Sequence, residues 1–426
     1  MKIIEGFQSV REALSRQSAK ETPDALAREQ SVRQIIDDVR RQGDAALFDY
    51  TLKFDGVSLT SLEVSKEAVS NAHKHVDAGL VSALKLASER ICSFHTAQKK
   101  ALGDGFSQNG LRQLVRPLER VGVYVPGGTA RYPSTVLMTV IPARVAGVKE
   151  VILVTPPGPD GTVSPLVLAA AGIAGVDRVF AVGGAQAVAA LAYGSESIPR
   201  VDKICGPGNI YVMLAKKMVY GAVGIDGLQG PSEVLIIADE TANPAYCAAD
   251  LLAQAEHDAM ASAIMVTTSR RLADEVSREI EQQLKDLPRK AIATESLKDN
   301  GLIAVVADLD EAVELADLYA PEHLCLMGTG AESCLDRLTN AGCVLVGERS
   351  TVALGDYVAG PSHVLPTGGT ARFSSPLSVA DFIKYTNVIN VDEAGLKEMG
   401  PAAQALACAE GLDAHARAVE KRLGSV

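Results

Sequence analysis

A glutamate and a histidine stand side by side at Glu322 and His323, between a predicted helix and the apolar run LCLMG. Their position at an element boundary would hold a carboxylate next to an imidazole. Histidine titrates near neutral pH and is the most frequent general base in enzymes, and an adjacent glutamate can carry out a second proton transfer. The pair predicts acid–base catalysis. A loop that exposes both side chains to solvent is the alternative.

Several side chains are suited to binding a divalent metal ion. Gln254 and His257 are three residues apart on a predicted helix that extends to His257, so both project from one face of it. Asp356 and His363 lie in a glycine-rich loop, and His415 lies on the apolar face of the last predicted helix. Mixed nitrogen and oxygen ligands suit a borderline ion such as zinc. The alternative is that these side chains only form hydrogen bonds in the core or at the surface.

Three predicted strand-to-helix turns are rich in glycine: Gly127-Gly128, Gly183-Gly184 and Gly206-Pro207-Gly208. In open α/β sheets such turns bring backbone N–H groups to the carboxyl edge, where nucleotides bind. No turn has the pattern GxGxxG or GxxxxGK[ST], so plain connections are the alternative and a dinucleotide would bind in a non-standard pose. Cys205 precedes the third turn, where a thiolate could attack an aldehyde. Only Lys203 is near enough in sequence to activate it, so we interpret Cys205 as a small buried strand residue.

Length and composition exclude several classes of protein. The chain has 426 residues, which suggests two or three domains, and its 47% hydrophobic and 22% charged residues exclude disordered, collagen-like and coiled-coil chains. The net charge of −11 repels polyphosphates and anionic lipid surfaces, so we expect no nucleic-acid partner.

Cysteine usage and hydropathy predict a cytoplasmic protein. The seven cysteines are scattered without a CxxC pair, and no signal peptide precedes them, which is typical of a reducing compartment. The longest uncharged stretch, 179–195, contains glycine and glutamine and is shorter than the roughly 20 apolar residues of a membrane span. We therefore expect no membrane partner.

The elements that carry these residues form two series. From Val121 onward, short β-branched runs are followed by glycine-rich turns and alanine-rich helices, and a second series of this kind starts at Glu233. Repeated strand, glycine turn and helix predict right-handed βαβ units on a parallel sheet. The predicted fold class is α/β, with two doubly wound parallel-sheet domains of incomplete Rossmann-like type. Between 355 and 376 lies a long segment without predicted secondary structure, which is typical of a functional loop.

Long segments of the chain resemble the histidinol dehydrogenase family nearly from end to end. The resemblance lies in these segments: VRQIIDDVRRQGDAALFDYTLKFDG, VYVPGGTARYPSTVLM, VGGAQAVAALAYG, GPGNIYV, GIDGLQGPSEV, LLAQAEHD, APEHL, GDYVAGPSHVLPTGGTARFSSPLSVADF and EGLDAHARAV. Co-linear segments of this length are far more specific than the single motifs. Members of the family convert L-histidinol to L-histidine with two NAD and one water, through an aldehyde that is not released.

The resemblance implies a role for each candidate residue of the catalytic and metal sites. Glu322 and His323 would be the catalytic acid–base pair. One zinc ion per subunit would be bound by Gln254, His257 and Asp356 of one subunit and by His415 of its partner. An intertwined homodimer is implied as well.

Ligand contacts are also implied by the resemblance. NAD would contact Tyr124, Gln186 and Asn209. The residues that would contact L-histidinol are Ser232, Gln254, His257, His323, Asp356, Glu410 and His415. Two positions depart from the family pattern: Cys205 stands where an aliphatic residue is expected, and Ser362 stands where asparagine is common.

Each part of the chain receives a predicted role. The division is an N-terminal helical arm (1–22), a main α/β domain with the metal and catalytic residues (23–122 and 234–376), an inserted α/β domain that binds NAD (123–233), and a C-terminal helical tail (377–426). The tail would contribute to the site of the partner subunit.

Three other functions stay open. A sister branch of the superfamily oxidises sulfonated propanediols, although its glycine turn differs from PGGTARYPS, so an NAD-dependent dehydrogenase of another small polar alcohol is one alternative. A zinc hydrolase would share the metal and the Glu–His pair but needs no nucleotide turns. A non-catalytic ligand-binding protein would need no proton-transfer residues.

Overall fold

A computed structural model describes residues 1–16, 23–127 and 131–424. Its strands are β1 (Lys2–Glu5), β2 (Glu63–Val64), β3 (Gly105–Gln108), β4 (Leu111–Pro117), β5 (Arg120–Tyr124), β6 (Glu150–Thr155), β7 (Arg178–Ala181), β8 (Lys203–Cys205), β9 (Gly224–Ile225), β10 (Glu233–Ala238), β11 (Ser262–Thr267), β12 (Gly301–Val305), β13 (His323–Met327), β14 (Cys343–Val346) and β15 (Ile383–Ile389).

Its helices are α1 (Phe7–Leu14), α2 (Pro23–Gln42), α3 (Asp44–Asp55), α4 (Lys66–Asn71), α5 (Ala78–Leu102), α6 (Pro133–Ala146), α7 (Pro165–Ala174), α8 (Gly184–Tyr193), α9 (Ile210–Val219), α10 (Pro244–Ala255), α11 (Arg270–Gln283), α12 (Lys290–Asp299), α13 (Leu309–Tyr319), α14 (Thr329–Glu332), α15 (Val352–Tyr357), α16 (Glu393–Ala409) and α17 (Asp413–Leu423). Within the described ranges, every helix falls short of the length and apolarity that a membrane span requires.

One six-stranded sheet is entirely parallel and has the order β1-β12-β11-β10-β13-β14. From β10 the chain winds outward through β11 and β12, then returns to the other side of β10 with β13 and β14. This is the doubly wound arrangement, and its switch point lies between β10 and β13. We call it the first sheet.

The other six-stranded sheet has the order β2-β7-β6-β5-β8-β9, with only β2 antiparallel to its neighbour. Here the chain winds from β5 through β6 to β7 and then returns beside β5 with β8, so the switch point lies between β5 and β8. We call it the second sheet. Two doubly wound parallel sheets confirm the predicted fold class.

Near-continuous apolar runs explain why both sheets are parallel and buried on both faces. All six residues of β10 are buried. Along β10 the side chains alternate between two cores, because Val234 and Ile236 pack in one cluster and Leu235 and Ile237 in another. The first sheet therefore has a core on each side, and its switch point lies at a rigid centre.

Near the N-terminus the structure differs from the predicted division. The arm predicted as helical begins with β1, which pairs with β12 at the edge of the first sheet, and residues 17–22 lie outside the described residues. Residues 23–122 were predicted to belong with the first sheet, but α2 packs on α8 and α9, and β2 pairs with β7 of the second sheet. The apolar face of α2, with Val32 and Ile36, is buried in that core.

Residues 100–117 and 383–426 form a compact unit of their own. It contains the antiparallel sheet β15-β4-β3 and the helices α16 and α17. The tail was predicted to be helical, and β15 is a strand. Its register pairs Tyr385 with Val115, so the partner of β15 is far away in the sequence and local periodicity does not reveal it.

Candidate active site

The Glu322–His323 pair lies at the amino end of β13, beside the switch point of the first sheet. Helix α13 ends at Tyr319, Ala320 takes a left-handed conformation with φ of 50°, and the strand begins at His323, which lies opposite Val234 of β10. Glu322 and His323 are 6% and 4% exposed, so the alternative of a solvent-exposed loop is wrong.

Hydrogen bonds fix both members of the pair. Oε2 of Glu322 accepts a hydrogen bond from the Ser232 hydroxyl at 2.7 Å and one from the Glu233 backbone N–H at 2.8 Å. Nδ1–H of His323 donates to the Glu233 carbonyl oxygen at 3.2 Å. Because a carbonyl oxygen only accepts, Nδ1 carries the proton, and Nε2 is directed toward Oδ1 of Asp356 at 3.4 Å.

The pKa values of the pair are shifted by their surroundings. Burial raises the pKa of Glu322 to about 7, although the neighbouring His323 and the Ser232 hydrogen bond oppose the shift. Burial lowers the pKa of His323, but the carboxylates of Glu322 and Asp356 outweigh it and raise this pKa to about 9. Two strongly shifted neighbours beside a cavity are typical of an active site.

Asp356 belongs to α15 and brings the glycine-rich loop to the Glu–His pair. Burial raises the pKa of its carboxyl, but His323 and the nearby imidazoles of His363 and His257 outweigh this and lower the pKa below its usual value. The Asp356 carboxylate therefore interacts electrostatically with three candidate residues of the predicted site, His323, His257 and His363.

Gln254 is buried on α10, and neither its amide oxygen nor its amide nitrogen has a hydrogen-bond partner in the described part of the chain. A buried polar group without a partner costs about 1–3 kcal/mol, so this side chain is prepared for a ligand. His257 lies just beyond the helix, because α10 ends at Ala255, two residues short of the prediction. Beyond the end of α10, the Asp258 carboxylate accepts a hydrogen bond from the Met260 N–H at 2.8 Å. A side-chain turn of this kind competes with continuation of the helix.

Nothing in the described ranges brings three histidine, cysteine, aspartate or glutamate side chains together closely enough to hold a metal ion. His415 and Glu410 belong to the unit 383–426, on α17 and directly after α16, and both are exposed. Of the alternatives for His415, a hydrogen-bonded place in the core is therefore wrong. A contribution of these two residues to a partner subunit stays a prediction.

His363 serves the loop itself. Its Nδ1–H donates to the Asp356 carbonyl oxygen at 2.8 Å, and its Nε2 faces the Thr135 hydroxyl at 3.4 Å. Burial lowers the pKa of His363, which favours the neutral ring. The neighbouring Ser362 is buried, and its hydroxyl donates to the Met138 carbonyl oxygen at 3.1 Å, so the serine in this position has a partner.

A cavity of about 240 Å³ lies against His323 and is lined by Cys343, Asp356, Pro361 and His363 among others. Pockets for drug-sized ligands measure about 300–1,000 Å³, so this cavity fits a smaller molecule. Its polar wall is the Asp356–His363 loop and His323. A small polar substrate fits this combination of volume and chemistry.

The predicted nucleotide residues meet at the carboxyl edge of the second sheet. Tyr124 ends β5, and its hydroxyl accepts a hydrogen bond from the Gly184 N–H at 3.1 Å. Gln186 is buried, and its amide oxygen has no partner in the described residues. Asn209 caps α9 by accepting hydrogen bonds from the backbone N–H groups of the first turn. Gly128 of the first predicted turn lies outside the described residues.

At the carboxyl edge of the first sheet, an aspartate side chain binds the backbone N–H groups that a phosphate would use at such a turn. Oδ2 of Asp239, directly after β10, accepts hydrogen bonds from the N–H groups of Gly330 at 2.6 Å and Ala331 at 2.9 Å. These N–H groups open α14, where a phosphate would otherwise bind. In the described residues these N–H groups are therefore not available to a phosphate. Asp239, directly after the apolar run VLIIA, was the signal in the sequence for this occupied turn, and it was not recognised.

Cys205 is fully buried on β8, and burial raises the pKa of its thiol well above the usual range. The thiol is therefore protonated at neutral pH. This confirms the structural interpretation of Cys205 and leaves the Glu322–His323 pair as the candidate for chemistry.

One doubly wound sheet with glycine turns at its carboxyl edge, together with a buried acid–base pair on the other sheet, is typical of an NAD-dependent oxidoreductase. A family model described as histidinol dehydrogenase matches residues 17–423. The chain belongs to the histidinol dehydrogenase family.

Similar proteins match the chain over its whole length. A protein named histidinol dehydrogenase from Dehalococcoides mccartyi is 56% identical over 435 residues, which cover 99% of this chain and 100% of that protein. One of the same name from Bacillus cereus is 51% identical over 429 residues, 99% of each. The crystal structure of histidinol dehydrogenase from Elizabethkingia anophelis superposes with a TM-score of 0.93 at 38% identity and covers 100% of this chain and 98% of that one.

Proposed function

We propose that this enzyme oxidises L-histidinol to L-histidine in two successive steps, with two molecules of NAD and one of water, as the end of histidine biosynthesis in the cytoplasm. The observation that carries the proposal is the buried Glu322–His323 pair beside a small cavity with one polar wall. Oxidation of an alcohol to an acid needs one base for the hydroxyl and one for water. The His323 imidazole supplies the base for the hydroxyl. Glu322, whose carboxyl has a pKa of about 7, supplies the base for water.

The donor set of the site fits a zinc ion. Both amide atoms of Gln254 are buried without a partner among the described residues, and the Asp356 carboxyl has a lowered pKa that keeps it ionised at neutral pH. We infer that Gln254, His257 and Asp356 hold the ion together with His415 of the partner subunit. When bound, zinc orients the amine and imidazole of the substrate as a template.

In the first oxidation His323, in the form whose Nε2 is unprotonated, removes the proton of the substrate hydroxyl while hydride passes to NAD, which leaves the aldehyde and NADH. The hydrogen bond from Nδ1–H to the Glu233 carbonyl oxygen holds the ring so that Nε2 is the nitrogen that receives the proton. Ser232, already hydrogen-bonded to Glu322, and Glu410 would contact the rest of the substrate.

In the second oxidation Glu322 takes a proton from water as the oxygen adds to the aldehyde carbon, and His323 returns the proton it received in the first oxidation to the aldehyde oxygen, which gives the gem-diol. Hydride from the gem-diol then passes to a second NAD while His323 removes a hydroxyl proton, and the acid forms. Burial suits Glu322 to this role, since a carboxyl with a pKa of about 7 is a stronger base than a solvated one.

NAD would bind at the carboxyl edge of the second sheet, in the predicted inserted domain, against Tyr124, Gln186 and Asn209. The unpaired Gln186 oxygen is a ready acceptor there. Without the GxGxxG fingerprint we expect modest affinity, which suits a cofactor that must exchange between the two oxidations while the aldehyde stays bound.

One assay tests the proposed function. Purified enzyme with L-histidinol and excess NAD is expected to form two NADH per histidinol, measured by absorbance against histidine formed. Prior treatment with a chelator should abolish the activity, and added zinc should restore it.

Other results of the same assay would support the alternatives. Absence of NADH with every alcohol would favour a zinc hydrolase or a binding protein. Faster oxidation of a sulfonated propanediol than of histidinol would assign the other dehydrogenase branch. Activity that survives complete removal of metal would contradict the inferred zinc site.

A mixed dimer tests the contribution of the partner subunit. Chains with His257→Ala and chains with His415→Ala should each be inactive, and reassembled heterodimers should regain activity because one of their two sites has all its ligands. The fraction of heterodimer is measured by native mass spectrometry with a mass tag on one chain. Heterodimers as inactive as their parents would contradict a site built from two subunits.

A further inference from the structure

Lys216 is a charged residue in the last turn of the mostly apolar helix α9, and its side chain is only 2% exposed. It forms an ion pair with Asp226, whose side chain is 1% exposed. Its Nζ also donates hydrogen bonds to the Gly206 carbonyl oxygen at 3.0 Å and to Oε1 of Gln229 at 2.8 Å. Burying a charge is costly unless it is paired, so a buried pair with this many partners calls for a reason.

The pair holds the backbone of a single residue, Gly206, from both sides. Asp226 accepts a hydrogen bond from the Gly206 N–H at 2.7 Å, and Lys216 donates to the carbonyl oxygen of the same residue. Gly206 has φ of 112°, and a Cβ there would lie 2.1 Å from the Tyr124 carbonyl oxygen. This turn is therefore in a glycine-only conformation and is clamped against the end of β5.

The clamped turn is the one that the proposed function assigns to NAD. It connects β8 to α9 and borders Tyr124 across the switch point, and three residues after Gly206 it leads to Asn209 at the start of α9. The clamp also continues toward the glycine-rich loop, because the Gly230 N–H, next to Gln229, donates to the Thr367 hydroxyl at 2.7 Å.

We propose that the Lys216–Asp226 pair positions the Gly206 turn for NAD and that its loss weakens NAD binding specifically. Both residues act through the backbone of the turn and are positioning residues. The inference rests on the proposed placement of NAD at this edge of the second sheet.

The test uses the full-length enzyme with Lys216→Met and with the double change Lys216→Met and Asp226→Asn. The single variant leaves a buried carboxylate unpaired, whereas the double variant removes both charges, so the double variant should recover most of the lost thermal stability. In both variants the Gly206 carbonyl oxygen loses its donor. We therefore expect KM and Kd for NAD to rise roughly tenfold, as for loss of a hydrogen bond to a charged group, with KM for the alcohol unchanged.

Lys217→Met is the matched control. Lys217 is the next residue of the same helix, is 58% exposed and pairs only loosely with Glu29 at 3.6 Å. Its change should alter neither NAD affinity nor Tm. Calorimetric titration with NAD alone gives Kd independently of turnover.

Different results separate the inference from the proposed function. An unmodified enzyme that makes no NADH from histidinol contradicts the proposed function, while NAD titration of the variants still tests the clamp. Three results would overturn the inference. They are a folded variant with unchanged Kd for NAD, KM values for both substrates that rise together as Tm falls, and failure of both variants to fold. In each case the pair would serve the fold and not the turn.

Discussion

Replacement of His323 by asparagine is expected to lower kcat for histidinol oxidation by roughly 10²–10⁴-fold, the usual contribution of a positioned general base. Asparagine can still donate to the Glu233 carbonyl oxygen, which His323 Nδ1 contacts at 3.2 Å, but it has no nitrogen that accepts a proton. Steady-state NADH formation, together with thermal unfolding to verify the fold, measures the effect.

His73→Asn is the control for this change. His73 is an exposed histidine whose Nδ1 contacts only the nearby Ser70 carbonyl oxygen at 2.8 Å, and its replacement should leave kcat unchanged. A folded His323→Asn enzyme with full activity would show that another group removes the proton.

Glu322→Gln is expected to slow aldehyde oxidation by roughly 10²-fold or more, since it removes the proposed base for water. Glutamine keeps an oxygen for the Ser232 hydroxyl and for the Glu233 N–H, so the local geometry is preserved. Alcohol oxidation, for which His323 is the base, should fall much less. Supplying the alcohol and the aldehyde as separate substrates measures the two steps.

The pH dependence of aldehyde oxidation provides a second test of Glu322. Burial raises its pKa to about 7, and only the ionised carboxylate accepts a proton from water. The rate in the unmodified enzyme should therefore rise with pH through about 7, and Glu322→Gln should lose this rise. Equal losses in both oxidation steps, or an unchanged pH profile, would refute the division of roles between Glu322 and His323.

Local sequence patterns were sufficient to predict the core strands and helices of the two sheets. Short β-branched apolar runs such as EVLIIA predict strands that are buried on both faces, and the glycine turns and alanine-rich helices after them predict crossover connections, so the two doubly wound sheets follow. The Glu322–His323 pair also follows, because adjacent residues at an element boundary are neighbours in any fold.

The ends of some helices and the strands at sheet edges could not be predicted from the sequence. Helix α10 stops at Ala255 because a side-chain turn at Asp258 competes with the helix, and periodicity does not register such a competition. Strand β15, with the sequence IKYTNVI, is defined by its pairing with β4, a segment that is remote in the chain. Short strands of this kind have little local signal until the partner strand is in place.

By itself the sequence determined which residues could do chemistry, since residue type and neighbours along the chain need no folding. Only the tertiary structure brought Asp356 to His323 and left both amide atoms of Gln254 without a partner in the described residues. It also placed Asp239 against the N–H groups that open α14, and it held Gly206 between Lys216 and Asp226. These contacts join distant parts of the chain. Their geometry depends on how the buried faces of two sheets and one loop pack together, and packing of that kind is a property of the whole core and not of any local pattern.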